Sequence, residues 1–399
     1  MFLRQSFRQQ LPRLRNIRTT SSKPSVQTST QSFYDDKIVT YANRPIKPVT
    51  LKQLVRFGQA PLSKDGSQEC THYARTELPV RLARRVRAFQ GLPFIVGTNP
   101  YIKQIYKLYY DSFESLEPYS RIRNNRDDDI EYAEKLQDLV ARHTDNIPTL
   151  ARGFLECKQY MNKQDMAMFL DDMIHARIGI RLIAEQAIAL MQPPAADDGY
   201  IGIIDTRLNP SKLIRQCADF VAELCEFNYG QSPQTIIDGH VDATFTYVPV
   251  HLEYILTELL KNSHRATIEF AKKTNRSDIP PIQITISHGG EDIGIRIRDQ
   301  GGGVDEQDLN KVFEYSYTTV SKAAEDEDDP SSVFRGIAEM AMQSGVGGPL
   351  AGLGFGLPLA RMYARYFGGS LTLVSMNGYG CDIFLKLKHI DQSMAELEI

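Results

Sequence analysis

Hydrophobic positions recur at helical spacing through the first half of the chain and at strand spacing in parts of the second. Between residues 51 and 191, apolar residues return every three or four positions, in long stretches broken by Pro and polar clusters, the period of helices that each bury one stripe. A helix is predicted over 78–89, with Leu78, Leu82, Val86 and Phe89 on one face and Arg81, Arg84, Arg85 and Arg87 largely around the other. Further helices are predicted over 102–116, 130–140, 148–160 and 164–191, and such a succession points to a bundle. The turn-rich stretch 193–199, Pro-Pro-Ala-Ala-Asp-Asp-Gly, ends the last of them and marks a domain boundary.

Past that boundary the pattern is mixed. Helices are predicted over 213–227 and 252–272, whereas 282–287 and 293–298 alternate apolar and polar residues on either side of His-Gly-Gly-Glu-Asp, a hairpin pattern. A second strand pair, 370–375 and 381–388, flanks Asn377-Gly378-Tyr379-Gly380. The fold class is α+β, an N-terminal helical bundle over 31–195 followed by an α/β domain over 196–399, with no internal repeat.

A chain of 399 residues suits two conventional domains. With 42% hydrophobic residues, 24% charged residues and a net charge of -3, it has no global nucleic-acid signature. The five cysteines are scattered and include no Cys-x-x-Cys pair, so reduced buried thiols are expected in place of a disulfide framework or zinc site. No run of about eighteen apolar residues occurs, so no membrane span is expected. Arg4, Arg8, Arg13, Arg15, Arg18 and Lys23 all precede the first acidic residue, Asp35. Interleaved with Phe2, Leu3, Phe7, Leu11, Leu14 and Ile17, they read as a mitochondrial transit peptide over 1–30, with a disordered basic tail as the alternative.

Three motifs carry candidate chemistry. On the helix over 252–272, Leu252, Ile255, Leu256, Leu259 and Ala266 form the core-facing stripe, while Glu258, Lys261, Asn262 and Arg265 share another face. That face reads either as a solvated row of ion pairs or as an active surface; Asn is a poor helix former, kept mid-helix mostly where its amide has a partner. Next, the strand over 293–298 runs into Asp299-Gln300-Gly301-Gly302-Gly303, where glycines allow close backbone approach to a flat ligand and the carboxylate can accept from an amino group. Last, Gly352-Leu353-Gly354-Phe355-Gly356-Leu357-Pro358 leads into a helix predicted over 360–367, and amides at a helix start suit phosphate.

In this order the three resemble the nucleotide-binding boxes of the GHKL (Bergerat) superfamily of ATPases and kinases, whose ATP domain is an α/β sandwich. Within it, Glu77-Leu78-Pro79-Val80-Arg81-Leu82, the segment 143–153, Glu258-Leu-Leu-Lys-Asn-Ser-His-Arg-Ala-Thr267 and Gly354-Phe-Gly-Leu-Pro358 resemble the mitochondrial 2-oxo acid dehydrogenase kinases. The resemblance implies an ATP-dependent protein serine kinase of the mitochondrial matrix that inactivates the alpha subunit of pyruvate dehydrogenase. A branched-chain 2-oxo acid dehydrogenase kinase, or a GHKL ATPase without a protein acceptor, is the alternative. It implies recruitment by the lipoyl domain of the acyltransferase core, homodimerisation, and a regulatory pocket in the helical domain.

By motif position, Glu258 is the expected general base and Lys261 its charged neighbour, with Asn262 a ligand of Mg²⁺. The rest of the expected nucleotide site is Arg265, Ala266, Asp299, Gly301, Gly303, Thr318, Thr319, Gly352, Leu353, Gly354, Phe355, Gly356 and Leu357. Val312, Glu314 and Tyr317 stand where some members hold a monovalent cation, K⁺. The acidic run 325–329 falls in the region of the ATP lid and is expected to be a solvated insertion. Two features depart from the pyruvate type: Tyr254 stands one turn before Glu258 where a His is usual, as in branched-chain kinases, and the chain has no Trp for an Asp-Trp tail. His143 and His251 are expected to be satisfied structural histidines and not phosphoacceptors.

Overall fold

Apolar stripes of the predicted period build the N-terminal helices: α1 (Asp36–Ala42), α2 (Leu51–Phe57), α3 (Lys64–Gln90), α4 (Phe94–Gly97), α5 (Pro100–Leu116), α6 (Arg126–Arg142), α7 (Asn146–Glu156) and α8 (Lys163–Met191). The structure, a computed structural model, describes residues 36–58, 64–121, 126–144, 146–191, 199–290, 292–315 and 354–390. The predicted transit peptide, Tyr317, Thr318, Thr319, the acidic run, Gly352 and Leu353 lie outside the described residues. Local signals fix several ends: Asn99 accepts from the amides of Tyr101 and Ile102 ahead of Pro100, and Thr50 and Gln53 cap α2 reciprocally. Helix α3 starts well before the predicted residue 78, because Cys70, Ala74 and Leu78 extend its buried stripe through a stretch whose other residues are mostly polar.

Arg81, Arg84 and Arg85 of α3 do not form an open face, whereas Arg87 is exposed. Arg81 is buried and donates to the Tyr73 hydroxyl at 3.3 Å, Arg84 caps the Arg44 carbonyl at 2.7 Å, and Arg85 pairs with Asp172 of α8. Their stems and heads serve helix–helix packing, which amphipathic long side chains allow.

The second half contains β1 (Tyr200–Ile201), β2 (Ile204–Leu208), α9 (Pro210–Tyr229), β3 (Thr235–Gly239), β4 (Phe245–Tyr247), α10 (Pro249–Lys273), β5 (Ile282–His288), β6 (Asp292–Arg298), α11 (Glu306–Leu309), α12 (Gly356–Tyr366), β7 (Ser370–Met376) and β8 (Gly380–Lys388). One sheet has the order β1-β2-β4, and a five-stranded sheet has the order β3-β5-β6-β8-β7. In the larger sheet β3 runs parallel to β5 and every other neighbour is antiparallel. Ile284, Ile286, Ile293, Ile295, Ile297, Ile383 and Leu385 alternate onto the buried face, the period-two pattern of a half-covered sheet. Helix α10 packs against α9, α12 and β6, and α12 packs against α8, α10 and β7. Residues Asp36–Ile399 thereby form one compact unit. Cys70, Cys157, Cys217, Cys225 and Cys381 are buried and unbridged.

Candidate active site

Helix α10 is the spine of the site. Pro249 occupies its first turn, where a missing N–H costs nothing. Leu252, Ile255, Leu256 and Leu259 are fully buried, and at about 1.5–3 kcal/mol each they outweigh the several kcal/mol needed to desolvate one carboxylate. That carboxylate is Glu258, only 3% exposed. Lys261 Nζ lies 2.6 Å from its Oε1, a short charge-assisted contact. The four polar residues are therefore not one solvated row: Glu258 is buried, Lys261 and Arg265 are half-buried, and Asn262 is exposed. Arg265 pairs with Glu269 at 2.7 Å and not with Glu258. Ala266, read as a core position, is half-buried and faces the next loop.

That loop follows β6. The Asp299 amide donates to the Cys381 carbonyl of β8 at 2.9 Å, and its Oδ1 accepts from the amides of Gly301 at 2.9 Å and Cys381 at 3.1 Å. Asp299 is 4% exposed; burial pushes its carboxyl up from the ordinary range, against the lowering effect of the two amides. A Cβ on Gly301 would lie 2.5 Å from Ala266 Cβ and 2.8 Å from that residue's carbonyl carbon, so only glycine lets the loop lie on α10. Gly302 and Gly303 continue the turn at φ of 83° and 75°, and the Val304 amide donates to Ser375 Oγ at 2.7 Å.

The third motif meets α10 farther back. Phe355 is fully buried ahead of α12, and a Cβ on Gly356 would lie 2.4 Å from Glu258 Oε2. The start of α12 thus sits directly against the carboxylate, with Pro358 in its first turn. The helix begins at Gly356, earlier than the predicted residue 360. Tyr315 packs on Phe355 at 5.2 Å between ring centroids and donates to Asp171 of α8. Arg361 lies 4.3 Å from the centre of the Phe313 ring and donates to the Phe313 carbonyl at 3.3 Å. Of the residues expected around a monovalent cation, Val312 is buried and Glu314 exposed.

His143 is satisfied, its Nε2 bonding to Ser112 Oγ and its Nδ1 to Asn146 Nδ2, both at 2.8 Å. His251 departs from the expectation: it packs against Tyr363 and Phe367 at 5.1 Å, but its Nδ1 has no partner. Burial lowers both to about 3, with Arg177 adding to the effect. Neutral and enclosed, neither presents a nucleophile. A small cavity between α5, α6 and α8 is lined by Tyr109, Leu139, His143, Arg177 and Arg181 among others. The contribution of Cys381 has no signature in the sequence, because the pairing of β6 with β8 is what brings its amide to Asp299.

Among the described residues no helix is long and apolar enough to cross a membrane. Residues 48–205 match the family profile "mitochondrial branched-chain alpha-ketoacid dehydrogenase kinase", and residues 247–390 match that of the histidine kinase-, DNA gyrase B- and HSP90-like ATPases. The second match spans α10, the Asp299 loop and α12, so the domain that carries the site is an ATP-binding one. A mitochondrial [pyruvate dehydrogenase (acetyl-transferring)] kinase of Arabidopsis thaliana is 33% identical over 88% of this chain and 92% of its own length. The Drosophila melanogaster protein of the same name is 32% identical over 88% and 83%, and the Mus musculus isozyme 4 is 30% identical over 92% and 87%. With this extent of similarity and the three motifs assembled on one helix, the chain belongs to the family of mitochondrial 2-oxo acid dehydrogenase kinases of the GHKL superfamily.

Proposed function

We propose that this chain is an ATP-dependent protein serine kinase that phosphorylates and inactivates the alpha subunit of pyruvate dehydrogenase in the mitochondrial matrix. The observation that carries the reading is the buried Glu258 carboxylate, paired with Lys261 and abutting Gly356 at the start of α12. The contacts of Gly301 and Gly356 on α10, at Ala266 and Glu258, are eight residues apart, about 12 Å along a helix. That span suits a nucleotide with its base at Asp299 and its terminal phosphate beside Glu258.

In this reading Asp299 accepts from the adenine amino group, and Gly301, Gly303 and Ala266 form the floor beneath the ring. Gly354, Phe355, Gly356 and Leu357, with Gly352, Leu353, Thr318 and Thr319, line the phosphates, and Lys261 and Arg265 offset their charge. The exposed Asn262 amide, on the same helix as Lys261, is a fitting oxygen ligand for Mg²⁺, which when bound supplies charge neutralisation between phosphates. Val312, Glu314 and Tyr317 would hold K⁺. Glu258 takes the proton of the incoming serine hydroxyl, the step for which a buried, poorly solvated carboxylate is suited.

We assign regulation and docking of the lipoyl domain to the helical part, 31–195, and catalysis to 196–399. The cavity at Arg177 and Arg181 offers cationic groups for a small regulatory carboxylate. A homodimer is supported by the uncovered face of the larger sheet, where Ile236, Val374 and Phe384 are 41, 48 and 43% exposed. A branched-chain substrate is the second reading, favoured by the profile matched at 48–205 and by Tyr254. Transfer of labelled phosphate from Mg-ATP to each purified alpha subunit, with its lipoyl-bearing core, tests both. Label on a pyruvate dehydrogenase serine is the expected result; label on the branched-chain subunit alone moves the assignment to it. ATP consumed with neither subunit labelled would end the serine-kinase reading in favour of an ATPase.

A further inference from the structure

The helical bundle reaches the phosphate end of the site through one side chain, Asp171 of α8. The stretch 312–315, which ends three residues short of Thr318, is pinned at two points. Arg361 of α12 donates to the Phe313 carbonyl at 3.3 Å, with its guanidinium 4.3 Å from the centre of the Phe313 ring. The Tyr315 hydroxyl donates to Asp171. The Tyr315 ring itself lies on Phe355, with centroids 5.2 Å apart and planes tilted by 41°. Phe355 is fully buried and precedes Gly356, where a Cβ would lie 2.4 Å from Glu258 Oε2. Contacts therefore run unbroken from Asp171 through Tyr315, Phe355 and Gly356 to the Glu258 carboxylate.

The chemistry of the bond suits a clamp. Tyr315 is half-buried, its ring packed against the core, and a phenol so placed needs a partner for its polar tip. A carboxylate makes that bond charge-assisted. Burial, and then the bond to Asp171, push the phenol far above its ordinary pKa, which keeps it a donor. Asp171 is exposed, so removing its side chain breaks the bond without opening a cavity. Its neighbour Asp172 is also exposed but pairs with Arg85 inside the bundle. Two consecutive carboxylates thus serve different partners, one within the bundle and one across to the α/β layer.

We propose that Asp171 is a positioning residue for phosphoryl transfer: through Tyr315 it holds the stretch 312–315 on Phe355 and so keeps the start of α12 against Glu258. No bond is made or broken at Asp171, and it exchanges no proton. This rests on the reading above, in which the terminal phosphate lies beside Glu258 and the base at Asp299.

The test is Asp171→Ala and Tyr315→Phe in the full chain, singly and together. Label on the alpha subunits and release of ADP are followed, with calorimetry of Mg-ATP and Mg-ADP. Each single change is expected to lower kcat about tenfold, the effect of losing a hydrogen bond that places a catalytic group. The double change lowers it no further, because the two side chains make one bond. Affinity for Mg-ATP falls more than that for Mg-ADP, since only ATP has a phosphate at the displaced end. Asp171→Asn keeps an oxygen for Tyr315 and loses no more than about threefold. Asp172→Ala, an equal loss of charge at the next position, leaves kcat within about twofold.

Unchanged kcat in Asp171→Ala overturns the proposal. So does an equal fall in Asp172→Ala, equal weakening of Mg-ATP and Mg-ADP, or losses that multiply in the double variant. The parent chain tests the serine-kinase reading separately. Should it release ADP with neither subunit labelled, that reading fails by itself, and the ADP rate carries the same comparisons for Asp171.

Discussion

Asp299 and Glu258 are both buried carboxylates, yet their surroundings set them to different work. Asp299 is bound to the amides of Gly301 and Cys381 and is fixed in orientation, whereas Glu258 is met by a side-chain ammonium, that of Lys261, at 2.6 Å. Asp299→Asn keeps an oxygen for those amides but reverses the polarity toward an adenine amino group. ATP affinity should fall tenfold or more by calorimetry, while the melting temperature at neutral pH holds or rises, because a buried charge is removed. His251 gives a pH prediction. Its ring stays neutral in the folded chain down to about pH 3, whereas the unfolded chain takes up the proton near 6.5. Folding stability is therefore lost as pH falls from about 6.5 toward 3. His251→Phe, which fits between Tyr363 and Phe367, should raise stability relative to the parent by about 2 kcal/mol more at pH 5 than at pH 8, measured by urea unfolding. Glu258, Asp299 and the glycines beside them were legible because each motif is contiguous in sequence. The unpartnered Nδ1 of His251 is not legible, because no spacing reveals whether a buried ring nitrogen finds a partner.

At the scale of elements, α10 and the β5–β6 hairpin were legible because each is long and strictly periodic. Strands β3 and β4 are not legible in the pattern. Thr235–Gly239 has no clean alternation, and Phe245–Tyr247 is three residues buried on every side, a pattern that no period distinguishes from a loop or helix fragment. The start of α3 was hidden by its polar residues, and α12 begins a turn early because glycine and proline at its first turn read as loop. Glycine at that turn has a further use. Gly356→Ala would press a methyl group against Glu258 Oε2, where the ideal Cβ lies at 2.4 Å. Phosphoryl transfer should fall by about a hundredfold, the scale of a misplaced catalytic group. Far-UV circular dichroism should be unchanged, because the first turn of a helix accepts alanine. A variant of normal activity would mean that Glu258 and Gly356 do not meet in the working enzyme.

The whole molecule joins a helical bundle and an α/β layer through α8, α10 and α12, a contact set spread over widely separated residues that only the folded chain brings together. The outer sheet face, with Ile236, Val374 and Phe384 uncovered, should close in a second copy. Val374→Asp with Phe384→Asp should shift light-scattering mass from dimer to monomer at micromolar concentration, and an unchanged mass would place the dimer contact elsewhere. Activation of the acceptor beside a bound nucleotide should fall to one buried carboxylate on α10, Glu258. Its most direct test is single-turnover transfer from Mg-ATP to the dehydrogenase alpha subunit by the parent chain and by Glu258→Gln, with ATP affinity measured on both. ATP should bind equally to the two, with transfer reduced by about a hundredfold or more in the variant. Transfer that survives the substitution, with ATP affinity intact, would take the role of base from Glu258.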